Sequence, residues 1–237
     1  MIALVFNIII NSVYSIRIPF TWQSAITYPV MPSSAIIGLL ANAYQRYSNN
    51  KPPLKCLESI EREIIWAGSR LLRPAVTRSC TTSAIVKWEI PWGQKSTNVL
   101  IREFGYTEQM QILAITRNFA QTDFLIDALR ASPLTCGDSE SPVTIVDVRT
   151  FEVQESTQMT CETFFPVTFD ENVNLLSGSG VSYWMHERCL KTDKNFPMKC
   201  YLVPIRMVSG LICPATLVVE VRNRRVLEIK NLGCVVV

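Results

Sequence analysis

The stretch Tyr28-Pro29-Val30-Met31-Pro32-Ser33-Ser34-Ala35-Ile36-Ile37-Gly38-Leu39-Leu40-Ala41 is the turning point of this chain. Pro29 and Pro32 keep the residues before them extended, because a proline ring crowds the α conformation of its predecessor. Ser33 or Ser34 is then placed to cap a helix, its hydroxyl accepting from a free N–H of the first turn. Ile36, Leu39, Leu40, Ala43, Tyr44 and Tyr47 recur at helical spacing and predict one apolar face over about residues 33–47. A stiff loop feeding a helix start presents N–H groups and a positive dipole end to solvent. That is a ready site for an anion such as an RNA phosphate, and the blander reading is a plain helix start.

On the N-terminal side, Ile2 to Ile10 is a β-branched run that reads as a buried central strand. Asn11 to Tyr28 is polar and aromatic. On the C-terminal side, Ser48 to Pro53 is a loop, and residues 55–66 fit either a short helix or the lead-in to a strand. Residues 84–90 alternate like a strand, Pro91 to Lys95 is a turn, and Asn98 to Phe104 is a return strand. Gln111 to Thr116 predicts a strand and Asp123 to Arg130 a helix, with Thr122 as its cap. Val143 to Val148 and Phe151 to Val153 form a strand pair or one long strand. Through residue 153 the order is β, α, a long inserted hairpin, β, α, β, the split βαβ order of a ferredoxin-like (RRM-like) α+β fold. Residues 154–237 are strand-rich, with strands over Lys199 to Val208, Thr216 to Val221, Val226 to Ile229 and Cys234 to Val237. The chain therefore divides into a ferredoxin-like domain at 1–153 and a strand-rich region at 154–237.

Composition bounds the function. The chain has 237 residues, 48% of them hydrophobic and 18% charged, which describes an ordered globular protein. The net charge of +3 is unevenly placed. Between Arg70 and Arg102 stand six basic residues (Arg70, Arg73, Arg78, Lys87, Lys95, Arg102) against the single Glu89, a local charge of +5. The same segment carries Trp88 and Trp92. Cations that track phosphates and aromatics that stack on splayed bases are what a single RNA strand needs. A solvated hairpin with core tryptophans is the alternative.

Eight cysteines are scattered singly, without zinc-ribbon or redox spacing. They read as small core residues, with pairing possible in a hyperthermophile's cytosol. No secretory leader is expected, and no run reaches the about 18 apolar residues of a membrane span, so the expected location is the cytoplasm, with no membrane partner. His186 is the only histidine, more often structural than a general base when it stands alone. Gly178 and Gly180 read as a turn. Asp123 and Asp127 sit one helical turn apart on an exposed face. No cofactor signal and no metal-ligand cluster is found in the sequence.

Two segments carry a family resemblance. The stretch from Tyr28 to Gly38 resembles the proline-rich strand-to-helix junction of the Cas-five subunit of type I CRISPR effectors (Cascade), in the RAMP superfamily. Leu134 to Val148 resembles that family's second mark, a glycine turn, then glutamate-serine, then a valine-rich strand ending in aspartate-valine. Gly137, Glu140, Ser141, Val143, Asp147 and Val148 fit it, and the details are similar to the archaeal type I-A branch. The anchored resemblance covers about residues 1–40 and 120–150.

The resemblance implies a ferredoxin-like core, a thumb hairpin at about 70–104, and a strand-rich C-terminal part. It implies a non-catalytic, antiviral-defence subunit that binds the 5′ repeat-derived handle of crRNA and caps the Cas-seven backbone. The large or small Cascade subunits and the helicase-nuclease would be further partners, and target DNA an indirect one. Tyr28, Ser33 and Ser34 would line the handle, with Gly137, Ser139 and Ser141 as the glycine turn against it; Arg17 would stand next to the strand end that faces the handle in the family, a surface ion pair being its other reading. Asp138 departs from the family, whose members often carry a basic residue there, so backbone or serine contacts replace a direct charge contact at the turn. Two alternatives remain: a metal-independent endoribonuclease of the type I-C kind that trims precursor crRNA, assisted by His186 or a tyrosine such as Tyr28, and a generic RRM-like RNA-binding protein.

Overall fold

The computed structural model describes residues 1–21, 24–49, 51–89, 94–117, 119–190 and 198–237, and of residues 82–89, 94–99 and 119–121 the backbone alone. The first strand, β1 (Ile2–Ile10), is followed by a two-residue strand β2 (Ser24–Ala25) and the helices α1 (Ser33–Ser48) and α2 (Pro53–Glu63). Next come β3 (Ile64–Leu71), the long hairpin β4 (Ala75–Glu89) and β5 (Gln94–Thr107), then β6 (Gln109–Thr116), α3 (Phe119–Ala131), β7 (Leu134–Thr135) and β8 (Pro142–Ser156). In the main sheet the strands run β8–β1–β6–β3, every neighbour antiparallel.

β1 is buried along one face and, at Ala3 and Val5, on the other, as its mostly apolar run leads one to expect. Leu4, Phe6, Ile8 and Ile10 point into the core that holds α1 and α3, while Ala3 and Val5 point into a second cluster with Trp66 and Phe165. α1 seats Ile36, Ile37 and Leu40 on the sheet and its Tyr44 and Tyr47 against Phe124 of α3, with ring centroids 4.9 and 5.0 Å apart. Pro53 opens α2 at a position where its missing N–H costs nothing.

The remaining strands are β9 (Thr160–Thr163), β10 (Val167–Thr168), β11 (Val173–Gly178), β12 (Val181–His186) and β13 (Met198–Val203), then β14 (Ile205–Val208), β15 (Leu211–Pro214), β16 (Leu217–Val221), β17 (Val226–Ile229) and β18 (Gly233–Val236). β9 to β13 and β16 form two three-stranded sheets, β10–β13–β12 and β11–β16–β9, while the others join strands already described. β17 pairs with β8 and extends the main sheet, so residue 153 lies within a strand shared by both halves. β15 reaches β4 through Ile212 and Ala75. A disulfide joins Cys161 of β9 to Cys234 of β18, 73 residues apart. The segment after β12 is clamped onto the helices, where the Glu61 carboxylate accepts the N–H groups of Cys189 (3.2 Å) and Leu190 (3.0 Å). Arg188 returns two bonds of 2.9 Å to the Glu61 and Ile64 carbonyls.

Several expectations shift. Residues 55–66 divide into the end of α2 and the start of β3. The hairpin strands begin and end beyond 84–104, at 75 and 107. Residues 143–153 belong to one strand, kinked where Asp147 takes a left-handed φ of 54° opposite the break between Val5 and Asn7. Thr122 is not a cap, because α3 starts earlier; it is buried inside the helix with its hydroxyl 3.1 Å from that of Thr116. Pro204 splits the strand expected over 199–208 into β13 and β14.

Candidate nucleic-acid interface

The chain between β1 and α1 is laced to the long hairpin and to itself. Tyr14 and Gly105 exchange two backbone bonds of 2.8 Å, and the Tyr14 hydroxyl donates to the Pro29 carbonyl at 2.9 Å. A Cβ on residue 105 would lie 2.5 Å from the Tyr14 ring, so only glycine admits the tyrosine there. Ile16 pairs with Thr27 and Tyr28, the Thr27 N–H donates to Glu103 at 2.9 Å, and Ser69 holds the Met31 carbonyl at 3.0 Å. The junction is thus rigid before the helix starts.

Pro32, not a serine, takes the N-cap position of α1, with φ −68° and ψ 161°. Its carbonyl already accepts the Ile36 N–H at 3.2 Å, which places Ser33 and Ser34 inside the first turn, too late to cap it. No side-chain cap bond forms. Both serines are half-buried, and the Ser34 carbonyl accepts the Cys189 thiol at 2.9 Å. Burial, with Glu61 nearby, pushes that thiol up to about 11.

The second matched segment folds into a tight turn on the same junction. Gly137 has φ +88°, and a Cβ there would stand 2.5 Å from Ile16 Cγ1, so backbone strain and packing both require glycine. The Cys136 N–H reaches the Ser141 carbonyl at 2.8 Å, and the Ser141 hydroxyl lies between the Val13 carbonyl (2.9 Å) and the Asp138 carboxylate. Between this turn and α1 runs a cleft lined by Leu134, Thr135 and Gly137 on one wall and Ala35, Gly38, Leu39 and Asn42 on the other. Gly38 is the odd residue of that wall. A Cβ added there meets nothing within 4 Å, and its φ is ordinary, so nothing inside the protein asks for glycine. A mid-helix glycine costs about 0.5–1 kcal/mol against alanine, and what it leaves here is an open cleft.

The hairpin supplies the positive side. Arg73 is exposed and 3.9 Å from the equally exposed Glu108; Arg78 is exposed and donates to its neighbour's Thr77 carbonyl at 3.1 Å. The side chains of Lys87, Trp88 and Lys95, and all of Trp92, lie outside the described residues. Arg102, near the hairpin base, is turned inward to the glycine turn, where it pairs with Asp138.

The sequence-predicted residues therefore separate. Ser33, Ser34, Gly137 and the exposed Ser139 stand around the α1 end and the turn, and Arg73 and Arg78 on the hairpin. Arg17 is exposed and braces its own loop by donating to the Thr21 carbonyl at 2.7 Å; in that loop Phe20 is 90% exposed with a φ of 63°. Three residues turn away from solvent. Tyr28 is 2% exposed, its hydroxyl bonded to the Trp184 carbonyl, and burial pushes it up to about 12. Ser141 is buried under the turn. Arg70 projects from the opposite face of the sheet from α1, bonded to Gln111 (2.9 Å) and stacked over Phe164 and Phe165, 4.9 and 5.2 Å from their centroids. Its guanidinium, partly stripped of water there, titrates below its ordinary value. All three are held by bonds within the protein. His186 is half-buried on β12. Among the described residues no cluster of three or more His, Cys, Asp or Glu could hold a metal, and no helix is long and apolar enough to cross a membrane. Gly38, Arg102 and Asp138 are the residues that sequence reasoning did not place at the site. Gly38 was marked by being an interior glycine on a helix face, Asp138 by its departure from the family at the turn, and Arg102 only by its place in the basic run.

Residues 12–154 match the family model described as CRISPR-associated protein (Cas_Cas5). Over 148 residues the chain is 26% identical to the CRISPR-associated protein Cas5 of Thermoproteus tenax, a match that takes in 57% of this chain and 61% of that protein. The fold is similar to the crystal structure of a CRISPR protein from Archaeoglobus fulgidus, with a TM-score of 0.63 and 14% identity over 99% of this chain and 98% of that one. It is also similar to a chain of a CRISPR RNA-guided surveillance complex, with a TM-score of 0.53 and 12% identity over 90% and 91% of the two chains.

Proposed function

This chain belongs to the CRISPR-associated Cas5 family, and from that premise we propose that it is a non-catalytic subunit of a type I Cascade, of the I-A kind, that holds the 5′ repeat-derived handle of crRNA and caps the Cas-seven backbone. The observation that carries the reading is the cleft between α1 and the Gly137 turn. It joins the two segments that carry the family resemblance, and its Gly38 wall is kept open at the helix's expense. The strand order β8–β1–β6–β3 supports a ferredoxin-like core, and the β4–β5 hairpin inserted in it is the thumb. In this reading the first turn of α1 offers N–H groups and its positive dipole end to a phosphate, Ser33, Ser34 and Ser139 offer hydroxyls, and Arg73, Arg78 and Lys87 follow the backbone beyond. The assembly would lie in the cytoplasm, with the other Cascade subunits and the helicase-nuclease as protein partners.

The test is handle-RNA affinity of the purified chain with Ser34→Asp as the informative variant. A carboxylate in the first turn stabilises the helix but repels a phosphate, so affinity falls while the melting temperature holds or rises. Unchanged affinity in a folded Ser34→Asp protein removes the junction from the RNA path. Site-specific cleavage of repeat RNA by the pure protein, lost on His186→Ala, would overturn the non-catalytic reading. The buried, proton-retaining Tyr28 phenol is poorly suited to assist such a reaction.

A further inference from the structure

Arg102 and Asp138 are the place where three parts of the molecule meet. Arg102 sits on β5 opposite Cys80, near the root of the hairpin. Its Nη2 donates to the Asp138 carboxylate, its Nε to the Ser15 hydroxyl at 3.3 Å, and its Nη1 lies 3.9 Å from Glu140. The guanidinium also covers the Phe104 ring, 4.9 Å from the centroid. Asp138 is held from its own side by the Ser141 hydroxyl and the Glu140 N–H (3.2 Å). The two side chains are 32% and 20% exposed, as covered as Arg224–Asp170 and well below Arg73–Glu108 and Arg149–Asp147.

We propose that Arg102 and Asp138 form a strut that fixes the hairpin relative to the glycine turn, so that an RNA strand leaving the cleft meets the hairpin at a set angle; Arg102 is a positioning residue and takes no phosphate itself. The proposal rests on the RNA-binding reading above. Its physical ground is competition for one guanidinium. A phosphate that displaced Asp138 would still face that carboxylate, which Ser141 and the Glu140 amide keep in place, and like charges at this depth repel strongly. The planar fork of arginine also matches what is observed, two different acceptors in fixed directions. The acidic residue after Gly137 has an intramolecular task in this chain, which explains why a basic residue is not needed there.

The test uses the full chain with Asp138→Asn, Arg102→Gln, Arg102→Lys and the Asp138→Asn/Arg102→Gln double variant. Two readouts are taken: the salt dependence of handle-RNA affinity, and hydrogen exchange of residues 134–141 and 100–105 without RNA. A strut predicts that each single change weakens affinity about tenfold with the salt slope unchanged, speeds exchange in both segments, and leaves the double no worse than the worse single. Arg102→Lys fails like Arg102→Gln, because a point charge cannot span both acceptors. The proposal is overturned if Asp138→Asn tightens binding, or if Arg102→Gln lowers the salt slope by about one while Arg102→Lys keeps it, the behaviour of a phosphate contact. Unchanged exchange in both segments also overturns it, whatever the RNA does. If wild-type protein binds no handle RNA while exchange still responds in both segments, the strut stands and the RNA reading fails.

Discussion

The cleft beside α1 and the long hairpin tied to its glycine turn carry opposite kinds of surface. The cleft side has no lysine or arginine from residue 18 to residue 45, and its features are two glycines, small polar side chains and a helix start. The hairpin side carries Arg73 and Arg78 in the open. Shape and backbone groups govern the first, charge the second, and the two are tied at their root by Arg102 and Asp138. Under the proposed function, the cleft supplies position and selectivity and the hairpin supplies salt-sensitive attraction. Arg70 sharpens the contrast: it belongs to the same basic run in sequence but lies on the far face among phenylalanines.

The disulfide lies in neither region and tests whether they depend on the C-terminal strands. Replacing Cys161 and Cys234 by serine removes a 73-residue cross-link, worth about 4 kcal/mol in the chain-entropy view, so denaturant unfolding should register a loss of that order. Handle affinity of the folded variant should be unchanged, and a drop would couple the C-terminal half to the cleft. Gly137→Ala strikes the cleft wall. The strained φ and the contact with Ile16 together cost about 3 kcal/mol, and binding should be lost with the turn. A variant that folds and binds like wild type would remove the turn from the site. Arg73→Ala with Arg78→Ala addresses the hairpin. Melting should not move, affinity should fall about tenfold, and the salt slope should shrink by about two, one for each phosphate contact. An unchanged slope would leave the hairpin out of the interface. Tyr28→Phe separates scaffold from site: the lost bond to the Trp184 carbonyl costs about 1 kcal/mol of stability, with no change in affinity.

Much of the frame was legible because period and burial coincide. Ile2–Ile10 reads as a central strand since one face is covered along its length and the other at Ala3 and Val5, and α1 reads from the recurrence of Ile36, Leu40 and Tyr44. The hairpin strands read too short because Thr77, Ser79, Thr81, Thr82 and Ser83 carry no apolar alternation; pairing with β5, not pattern, makes that stretch a strand. The serine cap failed because Pro32 itself occupies the N-cap position. Which face Arg70 would take was hidden by the register break between Ile64 and Trp66, which spacing alone cannot reveal. The partner of Cys161 was likewise out of reach, since eight single cysteines do not declare their pairing. At the site, the glycine turn was legible from its motif, whereas the strut joins residues 36 apart whose meeting depends on the fold.

Gly38 separates a binding cleft from ordinary scaffold most directly, because the two readings move two measurements in different directions. Gly38→Ala should raise unfolding free energy by about 0.5–1 kcal/mol, since a mid-helix glycine is replaced with no neighbour within 4 Å to object. Melting and handle-RNA affinity would be taken on the same preparation. A cleft that receives the handle predicts a more stable protein that binds several-fold more weakly. A more stable protein with undiminished affinity would contradict it.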